Sequence, residues 1–394
     1  MPVSSEILLN AEPFTTGPGS PVATASRFKR IAAFLGRQFD RLIGFASMTV
    51  SLAAISAIPL LNLFSLGFLL EASSRVAASG RLRDGFIGLN YFARLGKMVL
   101  GVWLWLLPVR LVHSFWRDAE LIQAGSDEAN NLRVFLAFLM VVIALHLLAA
   151  ILRGGKLRHF LIPAPLQWIR WISGRQPFPV PKGLFLFLMR TGKRLLELGR
   201  LGFFGFLGAA IWLVLPLGIL FLSSGATQQG IAFLGSLLGA LVLGCAVLFI
   251  PFLQTRYAMT HRFRDFFAVS EARTLFKRAP LAFWLALTVT LLFALPLYLL
   301  KIELTPNEVA WLPNIIFVLF ILPARLLLGW ALSRAEKAEA SRKWPSRWIS
   351  GLAAIPVVAA YVFFVWLSQY VSWHGTYSLL EQHAFLVPAP LFGL

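Results

Sequence analysis

Seven long apolar runs partition the chain, at residues 97–115, 132–152, 203–222, 231–253, 281–300, 311–332 and 349–370. Each approaches the ~20 residues that a helix needs to cross the hydrocarbon core of a bilayer. Backbone surrounded by lipid must satisfy its own hydrogen bonds, so spans of this kind are helices. The pattern therefore predicts an all-α polytopic integral membrane helical bundle. An eighth apolar stretch, at 42–70, brings the expectation to seven to eight membrane segments.

The connections alternate in charge. Segment 71–96 carries Arg75, Arg81, Arg83 and Arg94, whereas 116–131 sets Asp118, Glu120, Asp127 and Glu128 against Arg117. Segment 153–202 is long and basic, and 223–230 (SSGATQQG) is uncharged. Segment 254–280 is basic again, and 301–310 sets Lys301 against Glu303 and Glu308. Segment 333–348 carries Arg334, Lys337, Arg342, Lys343 and Arg347, and no Lys or Arg follows residue 370. Basic connections stay in the cytoplasm. This places the protein in the cytoplasmic (inner) membrane as a multi-pass chain. The basic tail 1–41 is then cytoplasmic and disordered, 42–370 is the membrane domain, and 371–394 is extracytoplasmic. LQWIRWIS (166–173) and VSEARTLFKRAP (269–280) mix cations with apolar residues and read as helices in the cytoplasmic interface.

The stretch 42–70 breaks the alternation. Basic residues flank both of its sides, yet ~29 residues are too few for two full spans. Its centre, AISAIPLLNLF, contains Pro59, which disfavours helix at Ile58, and Asn62, which suits a helix cap. Two readings remain open. One is a re-entrant hairpin of two half-helices meeting at Pro59–Asn62. The other is a single span at 42–58, with the N-terminus outside, followed by an interfacial helix at 60–78.

Composition agrees with the membrane reading. The chain is 58% hydrophobic and 13% charged, against roughly 45–50% and about 25% in soluble domains. Net charge is +19 over 394 residues. The cations lie in short loops between spans and form no nucleic-acid reader module, so no nucleic acid is expected as a partner. The expected partner is the lipid bilayer, with anionic lipids at the basic loops. The single cysteine, Cys245, sits in an apolar run and supports neither a disulfide nor a cysteine metal site.

Two short recurrences stand out. RLRDGF (81–86) and RFRDFF (262–267) share Arg81/Arg262, Arg83/Arg264, Asp84/Asp265 and Phe86/Phe267. Each follows an Ile-Pro and precedes a Leu-Pro, with unequal spacing. Either a parallel repeat of 42–152 and 231–332 or a shared membrane grammar explains them. In both copies the Asp is expected to pair with a neighbouring Arg and the Phe to anchor in the acyl boundary. The remaining guanidinium is then left for a lipid phosphate. LLPVRL (106–111) and ILPARL (321–326) place Arg110 and Arg325 two residues after a proline inside spans. They are expected to snorkel or to satisfy a kink, with anion binding in a polar cavity as the alternative. His146 is expected to make a helix–helix hydrogen bond rather than to relay protons. His374, Glu381 and His383 have no zinc-site spacing.

No carboxylate lies within the seven runs, which argues against a coupled pump. P-loop, HExxH, GxSxG and GxGxxG motifs are missing. No catalytic residue, cofactor or metal is expected. The first functional reading is a non-enzymatic envelope scaffold, permease-like component or lipid-interacting factor. The alternatives are a membrane-embedded lipid-handling enzyme and, third, a small-molecule transporter. The segment SAIPLLNLFSLGFLLEASSRVAASGRLRDGF (56–86) resembles uncharacterised bacterial polytopic membrane families, among them the membrane region attached to some glycerophosphodiester phosphodiesterases. The resemblance covers residues 45–115 and, more weakly, 240–330. It implies a polytopic bacterial membrane protein and brings no catalytic residues.

Overall fold

A computed structural model of the chain describes residues 27–161, 168, 171–174, 184–301, 311–372, 375–381 and 383. The helices are α1 (Arg27–Ser56), α2 (Asn62–Ser79), α3 (Leu89–Ile122), α4 (Asp127–Leu152), α5 (Leu157–Leu161), α6 (Leu184–Ser224), α7 (Gln229–Thr260), α8 (Val269–Arg278), α9 (Pro280–Lys301), α10 (Trp311–Glu336), α11 (Trp344–Val371) and α12 (Ser378–Glu381). No strand occurs among the described residues. Seven of these helices are long and apolar enough to cross a membrane, and α8 with α9, bent by 113°, makes an eighth segment. The protein is an all-α polytopic membrane bundle. Each of the seven apolar runs lies within one helix, and most of those helices extend past the run into charged residues. The tail 1–26, most of LQWIRWIS and His374 lie outside the described residues.

α2 is the centre of the bundle. It packs against α1, α6, α7 and α10. The packing is close enough for backbone to touch backbone. A Cβ on Gly67 would collide with the Leu198 carbonyl, and one on Gly202 with the Leu63 carbonyl. A Cβ on Gly329 would strike the Ser73 carbonyl. Small residues at these points let the helix axes approach, the usual source of attraction where lipid gives no hydrophobic drive.

These contacts also set direction. Gly329 lies on Ser73, and Lys337 donates to the Ser79 carbonyl at 3.1 Å, so α10 runs parallel to α2. Gly202 lies on Gly67 while Arg194 pairs with Glu71, so α6 is antiparallel to α2. Gly235 meets Ser223 while Gln254 bonds Gly205, so α7 is antiparallel to α6 and parallel to α2. The C-terminal ends of α2, α7 and α10 therefore share one end of the bundle, and their basic connections form one face.

The stretch 42–70 becomes α1, a turn at 57–61 and α2. Its helices are longer than two half-helices because α1 begins at Arg27 and α2 continues to Ser79, past charges that end an apolar run. The expected break is where it was placed, but α2 is a core helix and not a surface one. Trp311 to Gly329 is about 27 Å of helix and Asn62 to Ser73 only about 16 Å. α2 therefore starts about 10 Å inside the start of α10, and the turn lies within the length of the bundle. The turn largely satisfies itself. The amides of Ala57, Ile58, Asn62, Leu63 and Phe64 all donate to local carbonyls, and Pro59 has no N–H to satisfy. Asn62 does not cap α2. Leu61 holds the cap position, and both Asn62 amide atoms are buried without a hydrogen-bond partner among the described residues.

α3 and α4 stand at the edge, with α3 mostly exposed. Lys97 of α3 pairs with Asp40 of α1 at 2.8 Å. At the opposite edge, α12 folds back on α11: Leu379 enters the main core, and His383 Nδ1 lies 2.8 Å from the Tyr361 hydroxyl.

A larger residue at the α2–α6 contact should break the fold selectively. Gly202→Val is expected to lower thermal stability in detergent by at least the 1–3 kcal/mol typical of overpacking. Gly218→Ala, on the same helix with nothing within 4 Å, should be neutral or stabilising. Fluorescence-detected thermal unfolding of the two variants checks this, and equal stability would refute the close-contact account.

Candidate functional site

The two RxRDxF segments have the same local structure. After α2, Gly80 enters the left-handed region (φ 77°), and after α7, His261 does so (φ 55°). Their amides donate to Val76 O and Tyr257 O, both at 2.7 Å. Arg81 and Arg262 follow in extended conformation, with φ/ψ of −114°/118° and −103°/114°. Each donates its amide to the hydroxyl of the last helical residue, Ser79 at 3.1 Å and Thr260 at 3.2 Å. A 3-10 turn then follows at Leu82–Gly85 and Phe263–Phe267, closed by Asp84 N→Arg81 O and Asp265 N→Arg262 O at 3.1 and 3.0 Å. Arg81 and Arg262 are 181 positions apart, and the same offset pairs Arg75 with Arg256, Ala77 with Ala258, Ser74 with Thr255 and Ser79 with Thr260. The likeness thus begins in the preceding helix, before the six-residue match.

The acidic groups are occupied. Asp265 is 7% exposed; it accepts from the Thr260 hydroxyl at 2.5 Å and lies 3.8 Å from Arg256. Arg256 also pairs with Glu271 of α8. Asp84 is exposed and lies 3.7 Å from Arg83. In α2, Arg75 pairs with Glu71 at 2.7 Å, and Glu71 also holds Arg194 of α6. The expected Asp–Arg pairing therefore occurs in both copies, with the second partner coming from the helix and not from RFR.

The residue after the Asp docks each turn. Gly85 lets Leu326 of α10 approach, while Phe266 fills the space over Gly208 of α6 and its carbonyl accepts from Trp212 Nε1 at 3.0 Å. Arg81, Arg83, Arg262 and Arg264 remain exposed. Arg81, Arg262 and Arg264 make no ion pair among the described residues. Each turn also exposes a large apolar side chain, Phe267 at 53% and Leu82 at 42%. Phe86 is not the anchor expected in the first copy. It is half-buried against the Phe45 ring, 6.1 Å between centroids.

The second recurrence separates completely. Arg110 is exposed on α3. Arg325 does not snorkel. It is 1% exposed in the core, and its Nη1 donates to Gln254 Oε1 at 2.8 Å. Gln254 Nε2 in turn donates to Gly205 O at 3.0 Å. One polar chain thus crosslinks α10, α7 and α6, the helices around α2. Gln254 lies one residue past its apolar run, where a polar residue ordinarily marks the end of a span, and only the structure shows that it is buried.

His146 bonds a carbonyl. Its Nε2 lies 3.0 Å from Phe160 O, which also accepts from Trp105 Nε1 at 2.6 Å. This ties α3, α4 and α5 together. Nearby, burial and the cations Arg153, Arg158 and Lys156 hold the His159 imidazole below its usual range. Among the described residues, no three His, Cys, Asp or Glu side chains are grouped to hold a metal. The chain matches no protein-family model, curated protein or solved structure. What the turns offer chemically is four accessible guanidinium forks beside apolar side chains, a geometry suited to phosphate.

Removing the amide that holds Arg325 should cost more than removing the pair. Gln254→Leu is expected to destabilise by about 1.5–3 kcal/mol, the worth of a hydrogen bond to a charged group. Adding Arg325→Met should recover part of that loss. Thermal unfolding of both variants in detergent is the check; a double variant less stable than Gln254→Leu alone would contradict it.

Proposed function

We propose that this is a non-enzymatic, lipid-interacting membrane protein whose basic face holds acidic lipid head groups. The observation that carries the reading is the pair of matching turns, each presenting two exposed arginines next to an exposed Leu or Phe. A head-group phosphate meets the guanidinium while the apolar side chain enters the acyl boundary. The two turns act as two copies of one lipid-gripping element. The carboxylates beside them accept from Thr260 or lie against Arg83 and Arg256, so they fix the turns and serve as no base. The basic face takes the cytoplasmic side, following the positive-inside rule, and α8 lies in that interface. The resemblance of residues 45–115 to uncharacterised bacterial membrane regions, some attached to glycerophosphodiester phosphodiesterases, fits the same setting.

The test is lipid retention. The protein is purified from mixed bilayers, and co-purifying lipid is measured by native mass spectrometry. Each arginine near an anionic surface is worth about 1 kcal/mol, so each double variant, Arg81→Gln/Arg83→Gln or Arg262→Gln/Arg264→Gln, should weaken acidic-lipid retention about 30-fold. Asp84→Asn and Asp265→Asn should leave retention largely intact where the fold survives. Unchanged acidic-lipid selectivity in the quadruple arginine variant would end the proposal. A lipid turnover that Asp84→Asn or Asp265→Asn abolishes in a folded protein would favour the enzyme instead.

A further inference from the structure

A half-open cavity of about 220 Å³ lies between α7, α8, α9 and α11. It exists because α8 leaves α9 at 113°. The bend swings the apolar face of α8, with Ala272 and Phe276, across the other helices as a roof. The walls include Phe249, Phe252, Phe283, Leu287 and Ala354, and Phe252 and Phe283 stack at 4.3 Å. The chamber is apolar but for three groups. Arg273 is exposed at the rim, its guanidinium 5.7 Å from the Phe249 ring centroid. Ser350 is 1% exposed, and its hydroxyl has no hydrogen-bond partner among the described residues. The Trp284 indole N–H is buried and likewise has no partner among the described residues. Both side chains line the cavity.

The rim gathers more charge. Lys277 stands one turn beyond Arg273 on α8, and Arg347 stands three residues before Ser350 on α11, spacings at which helical residues are neighbours on one face. The Arg342 amide donates to the Lys277 carbonyl at 2.9 Å, which draws the α10–α11 connection up to the same rim.

We infer that this cavity is a binding site for one acyl chain of an acidic phospholipid. The inference rests on the reading that the basic face meets lipid, but it uses none of the residues of the two turns. An apolar cavity of about 150 Å³ already accepts benzene, so this one takes a segment of a single chain and leaves no room for a protein helix. A lipid chain fills the apolar chamber while its head group stays at the rim. Arg273, with Lys277 and Arg347, then meets the phosphate.

The experiment uses the full chain in liposomes containing phosphatidylglycerol with a diazirine in one acyl chain. After irradiation, the labelled peptides are mapped. Label should concentrate on the cavity walls of α7, α9 and α11. Arg273→Gln, an exposed change that leaves the fold alone, should lower that label about five-fold. Ala354→Trp should fill the chamber and remove it. Phosphatidylcholine with the same chain should label at a fifth or less. The quadruple variant of the two turns should keep the cavity label, which separates this site from the turns. Label spread evenly over the exposed helices, or wall label unaffected by both Arg273→Gln and Ala354→Trp, would overturn the inference. Equal labelling by the two lipids would overturn its acidic selectivity.

Discussion

The bundle depends on how closely one helix approaches its neighbours. α2 is short and carries Glu71 and Arg75, so it is a poor membrane span by itself. It is buried because Gly67 meets Gly202 on one side and Gly329 receives the Ser73 carbonyl on the other. In lipid, apolar surface alone gives little reason for helices to associate. Close contact supplies dispersion energy instead, many small terms acting together. The same contacts set the levels of α6 and α10 on α2. With α7 antiparallel to α6, they bring the ends of α2, α7 and α10 to one face. Both arginine turns are placed by that arrangement, the first docked on α10 and the second on α6.

The polar interior follows from the same geometry. A buried arginine is tolerated only where its donors find acceptors. Gln254 supplies one and passes the chain of hydrogen bonds to the Gly205 carbonyl. The three elements joined this way enclose α2, so the ionic crosslink and the glycine contacts reinforce one assembly. Arg110 has a similar local sequence on α3, which stays at the edge, and there the side chain remains exposed. A motif of six residues thus has two outcomes, decided by whether its helix lies inside the bundle.

The fold class was legible because lipid imposes one periodicity-independent demand: about 20 apolar residues per crossing helix. Residues 132–152 and 311–332 declare themselves in that way. α2 did not, because Glu71, Arg75 and the serines of its C-terminal half interrupt the run, and its burial depends on glycines in distant segments. The break at Pro59 was legible from proline chemistry, whereas the length of α1 and α2 on either side was not. Of the candidate site, the arginines of the turns were visible as a repeated string. Their similar backbone, and the match of Arg75 with Arg256, required the helix ends to be seen in register. Arg325 and Gln254 are 71 positions apart, and no local pattern joins them.

The charge of the molecule divides accordingly. Some cations have fixed partners: Arg75 and Arg194 on Glu71, Arg256 on Asp265 and Glu271, Arg325 on Gln254, Lys97 on Asp40. These hold helices together, and several of them sit within or beside apolar segments. Arg81, Arg83, Arg262 and Arg264 lie beyond the helix ends at the shared basic face and stay exposed. An excess of +19 repels itself unless something negative lies against it. Much of the excess lies in the connections between the helices. The helix packing decides which arginines are paired and which are left exposed at the shared basic face.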